Sequence, residues 1–149
     1  MFSGYIGQQE ETQRRLQSGW FYPGDVGKLN AEGHLILLGR SDHMMIFNGV
    51  NIYPAEIERV MADHPSVTDA AVVPFKHEIH QDVPVCAVTL HPSHQTTEAE
   101  LLEYGQKRLG TRSAKFVFVV EEVPRNHLGK LIRSDMAEIL MARMKPWIR

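Results

Sequence analysis

Lys130 stands in the segment Val123 to Arg133, V-P-R-N-H-L-G-K-L-I-R, which is rich in turn formers and lies between a hydrophobic strand and an amphipathic helix. A compact ammonium on a long flexible stem, with Gly129 beside it to free the backbone, suits a loop that must bring positive charge to an anionic centre and withdraw it again. Asp25 closes G-W-F-Y-P-G-D, where a carboxylate at a tight turn can accept hydrogen bonds from two vicinal hydroxyls. Arg40 ends H-L-I-L-L-G-R, Asp42 follows it in G-R-S-D, and Asn48-Gly49 sits in F-N-G-V-N. Each residue also has a plainer reading. Lys130 fits a solvated surface turn, Asp25 a turn aspartate bonded to its own backbone, and Arg40 a surface ion pair. Asp42 fits the opening of a hairpin and Asn48-Gly49 the hairpin turn itself.

The elements that would position these residues follow from pattern. Residues 8 to 18 carry one large apolar residue and predict a surface helix ended by Gly19. Period-two text around N-A-E-G at Asn30 to Gly33 predicts a first hairpin. Met44 to Phe47 and Val50 to Tyr53, flanking Asn48-Gly49, predict a second. Pro54 opens a short helix with Ile57, Val60 and Met61 on one stripe. Val67 to Phe75 and Val83 to Leu90 read as strands, the second half-buried, and Thr97 with Glu100 caps a helix over Glu98 to Leu109. A last strand, Phe116 to Val120, precedes a helix capped by Ser134 with Met136, Ile139, Leu140 and Met144 on one side. The expected fold class is α+β: a small antiparallel or mixed sheet with helices packed on it, preceded by a β-hairpin strip.

The totals exclude several classes of function. A hydrophobic fraction of 43% over 149 residues supports a real core, and a formal net charge of -2 gives no electrostatic reason to expect nucleic acid. Arg143, Lys145 and Arg149 make the C-terminus basic, which fits cations at the end of a helix. A single cysteine, Cys86, rules out an internal disulfide, and its setting V-P-V-C-A-V makes it a small core residue. His77 and His80 are closely spaced but have no further ligand set nearby, so no metal site is expected. No apolar run is long enough to span a bilayer and no signal-peptide core is present, so the expected location is cytoplasmic.

Taken together, G-W-F-Y-P-G-D, G-R-S-D and V-P-R-N-H-L-G-K occur in the order and at the approximate spacing found in the adenylate-forming enzymes. From about Gly4 onward the chain resembles that family of acyl- and aryl-CoA synthetases, peptide-synthetase adenylation domains and luciferases. N-I-Y-P-A-E-I-E is more similar to the CoA ligase branch. The resemblance implies that residues 1–41 are the tail of a large adenylation domain and residues 42–149 a mobile C-terminal lid. It implies Lys130 as the catalytic lysine that meets charge on the α-phosphate and pyrophosphate. Asp25 would bind the ribose hydroxyls, Arg40 the nucleotide, and Asp42 would be the hinge. Asn48 and Gly49 would line the pantetheine tunnel. Pro23 replaces the family's usual threonine, Asn48 replaces the first of two glycines, and Val50 stands where glutamate is often found.

The implied cofactors are ATP or AMP, with CoA or phosphopantetheine, all held together with the large domain, and Mg2+ bound elsewhere. The family's phosphate loop is absent from this sequence, so the chain is not expected to be active alone. The implied partner is that large domain, in cis or in trans, with a carrier protein as the alternative to CoA as thiol acceptor. Strand Leu35 to Leu38 needs cover, so self-association as a homodimer is expected of the isolated chain. The competing reading is a stand-alone, non-enzymatic module of the same fold that binds a carrier protein or a separate ligase subunit.

Overall fold

The computed structural model describes residues 2–144. Lys145 and Arg149 of the basic tail therefore lie outside the described residues. The chain divides into two compact units, Met1–Asp42 and His43–Arg149.

In the first unit α1 (Gln9–Arg15) leads into a two-residue pairing of β1 (Leu16–Gln17) with β2 (Trp20–Phe21). The helix stops earlier than its composition predicts. Ser18 and Gly19 both adopt left-handed backbone, at φ 50° and 82°, and close a tight turn that claims Leu16 and Gln17 for pairing. β3 (Asp25–Leu29) and β4 (Leu35–Arg40) form the first predicted hairpin, with Asp25 opposite Arg40. Its turn is fastened by Asn30, whose Oδ1 accepts from the amides of Glu32 at 3.1 Å and His34 at 2.8 Å. Among the described residues of this unit no large apolar side chain is buried. Trp20 and Leu35 are 72% and 73% exposed.

The second unit is built on a five-stranded sheet: β5 (Met45–Phe47), β6 (Val50–Ile52), β7 (Val67–His77), β8 (Gln81–Leu90) and β9 (Phe116–Val119). β8 is central. β7 pairs antiparallel along its whole length, while its other edge takes β5 at Gln81 and β9, in parallel, over Val85 to Val88. Side chains alternate across β8, so Cys86 and Val88 join one apolar cluster and Val85 and Ala87 the other. The first cluster is closed by Ile57 and Met61 of α2 (Pro54–Ala62) and Leu101 of α3 (Glu98–Leu109). Met136, Leu140 and Met144 of α4 (Arg133–Met144) close the second. Helices cover both faces, so β8 is buried on both sides from Val83 to Val88 rather than half buried, which explains its unbroken apolar run there. Burial pushes the Cys86 thiol well above the ordinary range, and the nearby Glu58 carboxylate adds to this. That environment suits packing and not nucleophilic attack.

Two details of the helices are informative. Thr97 and Glu100 form the full reciprocal capping box of α3, with Thr97 N–H donating to Glu100 Oε2 at 2.8 Å and Glu100 N–H to Thr97 Oγ1 at 3.2 Å. At α4 the pattern predicts less well. The helix begins at Arg133, so Ser134 lies inside its first turn and bonds Asp135, and Ile139 points outward while Met136, Leu140 and Met144 form the buried stripe at i, i+4, i+8. Among the described residues no helix is long and apolar enough to cross a membrane.

Candidate functional site

The first unit gathers Asp25, Arg40 and Asp42. Arg40 grips Asp42 bidentately, Nε to Oδ1 at 3.1 Å and Nη2 to Oδ2 at 2.8 Å, and its Nη1 lies 3.7 Å from Asp25 Oδ1. Asp42 beside it raises the Arg40 pKa further, so the guanidinium stays charged. Arg15, which sequence reasoning passed over as part of a surface helix, completes the cluster. Its Nη1 donates to the Pro23 carbonyl at 2.7 Å, and Nη2 lies 3.9 Å from Asp42 Oδ2. Arg40 Nη1 donates to the same carbonyl at 2.8 Å. A carbonyl is common to every residue, so Pro23 keeps this anchor, while it lacks the hydroxyl and the N–H that threonine would bring and fixes φ.

Gly24 explains why the turn reads P-G-D. Its φ is +88°, and a Cβ there would fall 2.2 Å from Arg15 Nη1. Any side chain would displace the guanidinium. Asp25 follows directly, with its side chain 42% exposed and able to accept from a pair of hydroxyls.

The second unit presents the other two sites. Asn48 and Gly49 form the two-residue turn between β5 and β6, with φ 49° and 78°. This left-handed pair is the geometry that suits a two-residue hairpin. Asn48 also ties the turn down, since its Oδ1 lies 2.8 Å from His80 Nδ1 and its amide donates to the His80 carbonyl at 3.4 Å. A glycine could not make the side-chain contact. Nothing lies within 4 Å of a Cβ built on Gly49, so the backbone there is bare and open.

Lys130 sits on a loop that closes on itself. Arg125 bridges to Leu131, Asn126 N–H donates to the Lys130 carbonyl at 2.9 Å, and Gly129 N–H to the Asn126 carbonyl at 2.8 Å. The Asn126 side chain accepts from Leu128 N–H at 3.0 Å and Lys130 N–H at 2.9 Å. The backbone is therefore held while the lysine side chain is exposed. Among the described residues its ammonium makes no hydrogen bond or ion pair. A cation in that condition is available to an anionic partner.

The structure brings Asp25, Arg40 and Asp42 together, and it separates Lys130 from Asn48-Gly49. Arg125 of the lysine loop bonds Asp69 at the start of β7, whereas Asn48 bonds His80 just beyond its end at His77. The eight residue steps from Asp69 to His77 put the two loops toward opposite ends of β7, a strand length of about 26 Å. Among the described residues there is no cluster of three or more His, Cys, Asp or Glu side chains able to hold a metal ion.

Residues 56–130 match the model of the AMP-binding enzyme C-terminal domain. The chain belongs to that family. The match ends on Lys130, and Asp25, Arg40, Asp42, Asn48 and Gly49 lie before it. Relatives extend the similarity over the remainder. The chain is 36% identical over 138 residues to a 2-succinylbenzoate–CoA ligase of Bacillus cereus, covering 92% of this chain and 28% of that one. It is 32% identical over 148 residues to a 4-coumarate–CoA ligase of Vanilla planifolia, covering 98% and 27%. Among solved structures, the o-succinylbenzoate CoA synthetase of Bacillus subtilis, in complex with its acyl-adenylate intermediate, matches with a TM-score of 0.81 at 33% identity, covering 90% of this chain and 28% of that one. The chain thus spans a little over a quarter of the length of these relatives.

Proposed function

We propose that this chain is the C-terminal lid region of an AMP-forming ligase that activates an acyl or aryl acid with ATP and passes the acyl group to a thiol. The thiol would be that of CoA or of a carrier protein's phosphopantetheine. The observation that carries the reading is the position of an uncommitted lysine and a bare-backbone turn at opposite ends of one small unit. A single reacting centre can meet both only in turn, which is what a two-step reaction with a rotating lid requires.

In the first step a carboxylate oxygen attacks the α-phosphate and pyrophosphate departs. Lys130 stabilises the charge on the phosphoryl oxygens, Asp25 accepts from the ribose hydroxyls, and Arg40 contacts the nucleotide. Asp42 is the hinge, at the boundary between the two units. In the second step Asn48 and Gly49 admit the pantetheine arm along open backbone. Residues 1–41 belong to the large domain, a reading supported by the exposure of Trp20, Leu35 and Leu37. The large domain supplies their cover, the acid pocket and the Mg2+ site, and the chain alone is inactive.

The test is to truncate the ligase that carries this chain before His43 and to measure ATP binding and thioester formation separately. The proposal expects ATP binding to persist and thioester formation to be lost. Undiminished thioester formation would overturn it and leave a non-enzymatic, partner-binding module.

A further inference from the structure

We infer that Asp69 and Arg125 are positioning residues for Lys130, so that the start of strand β7 sets where the ammonium is delivered; this rests on the reading of Lys130 above. The lysine loop is closed by its own backbone bonds and by Asn126, but those bonds fix only its internal shape. Its placement on the sheet rests on Val123 and Leu131, which pack into the second apolar cluster, and on two guanidinium groups that fix how the loop lies against β7. Arg125 Nε and Nη2 donate to Asp69 Oδ2 and Oδ1 at 2.8 and 2.6 Å, and Arg125 Nη1 donates to the Gly129 carbonyl at 2.8 Å. One planar fork therefore connects β7 to the peptide immediately before Lys130. On the far side Arg133 Nη1 donates to the Val72 carbonyl at 2.6 Å and to Glu58 Oε1 at 2.8 Å. Lys130 is suspended between two anchors on the same strand.

Asp69 is placed for this task by a backbone irregularity. The pairing of β7 with β8 shifts register between Val67 and Asp69, which face the adjacent residues Leu90 and Thr89. The extra residue, Thr68, marks a bulge of the kind that re-aims a neighbouring side chain. Asp69 then accepts from Ala70 N–H at 2.8 Å as well as from Arg125. An Asp–Arg pair with side chains 31% and 38% exposed contributes little to global stability, so loss of the pair should shift the loop without unfolding the unit. A displacement of about 1 Å at a reacting centre is enough for a rate loss on the order of 100-fold.

The experiment uses the complete ligase that carries this chain. Asp69→Ala, Arg125→Ala and Lys130→Ala are each assayed for pyrophosphate exchange and for thioester formation from supplied acyl adenylate. In both Asp69→Ala and Arg125→Ala the inference expects kcat for exchange to fall roughly 10- to 100-fold. KM values and the thioester step should be nearly unchanged, and the double variant no worse than either single one. Exchange at the parent rate in Asp69→Ala or Arg125→Ala, with Lys130→Ala inactive, would overturn the inference and leave the lysine assignment standing. Equal loss in both half-reactions with a lowered Tm would overturn it too, since that is the behaviour of a structural ion pair. Exchange at the parent rate in Lys130→Ala would remove the reading on which it rests.

Discussion

Gly129→Ala is expected to destabilise the chain by about 1–2 kcal/mol, entirely through backbone torsion. Gly129 has φ +76° and nothing lies within 4 Å of a Cβ built there, so the substitution brings no steric clash. The remaining cost is that of holding an L-residue in the left-handed region. Relaxing φ would not avoid it, because the Gly129 N–H bond to Asn126 and the Arg125 bond to the Gly129 carbonyl, both 2.8 Å, would be disturbed. Each contributes about 1 kcal/mol net, comparable to the strain. Asparagine tolerates this region better, so Gly129→Asn should lose less than about 1 kcal/mol. Urea denaturation of the 149-residue chain measures both, with an unchanged m-value as the check that only stability has moved. A loss above about 3 kcal/mol for alanine would point to a clash that the geometry excludes. Asparagine as damaging as alanine would refute the torsional argument.

Three other outcomes are expected. Gly105 lies in the middle of α3, and a Cβ there would meet only Met61 Sδ, at an ordinary 3.5 Å, so Gly105→Ala should stabilise by roughly 0.5–1 kcal/mol. The readout is a rise in Tm. The Arg125 guanidinium lowers the pKa of Asp69, so its contribution is fully present above the unfolded value near about 3.9 and is lost as pH falls through the depressed folded value. The stability difference between the parent and Asp69→Asn, about 1 kcal/mol at most, should be constant from neutral pH to about 5 and vanish only below about 4. A difference that disappeared near pH 7 would exclude Asp69 as its source. Finally, the isolated chain should self-associate through the exposed β3–β4 hairpin, and Leu35→Lys with Leu37→Lys should shift it toward monomer in sedimentation velocity.

Most of the sheet was legible because burial leaves periodic marks. Asn48-Gly49, the Thr97 capping box and the valine-rich β7 and β8 each carry a local cause that the sequence states directly. The misreadings arose where a competing turn or the packing beneath a helix decided. Leu16 and Gln17 fit a helix equally well until the Ser18-Gly19 turn pairs them with Trp20 and Phe21. Ile139 counted as core because it is apolar, yet a stripe of Met136, Leu140 and Met144 already fills the face beneath α4. At the site, Lys130 stood out by its turn-forming neighbours, and Asp25 by the glycine before it. Arg15, Asp69 and Arg125 did not. Their partners are far away in sequence or bound through backbone carbonyls, and only the R-N before H-L-G-K hinted that the lysine loop had an anchor.

The most direct test of the account is the rate of pyrophosphate exchange by Lys130→Ala in the complete ligase, measured beside thioester formation from supplied acyl adenylate. The account predicts that exchange falls by a factor on the order of 100 to 1,000, the effect of removing one stabilising group from a developing charge, while the thioester step persists. Exchange at the parent rate would contradict it and return Lys130 to the status of a solvated lysine on a surface turn.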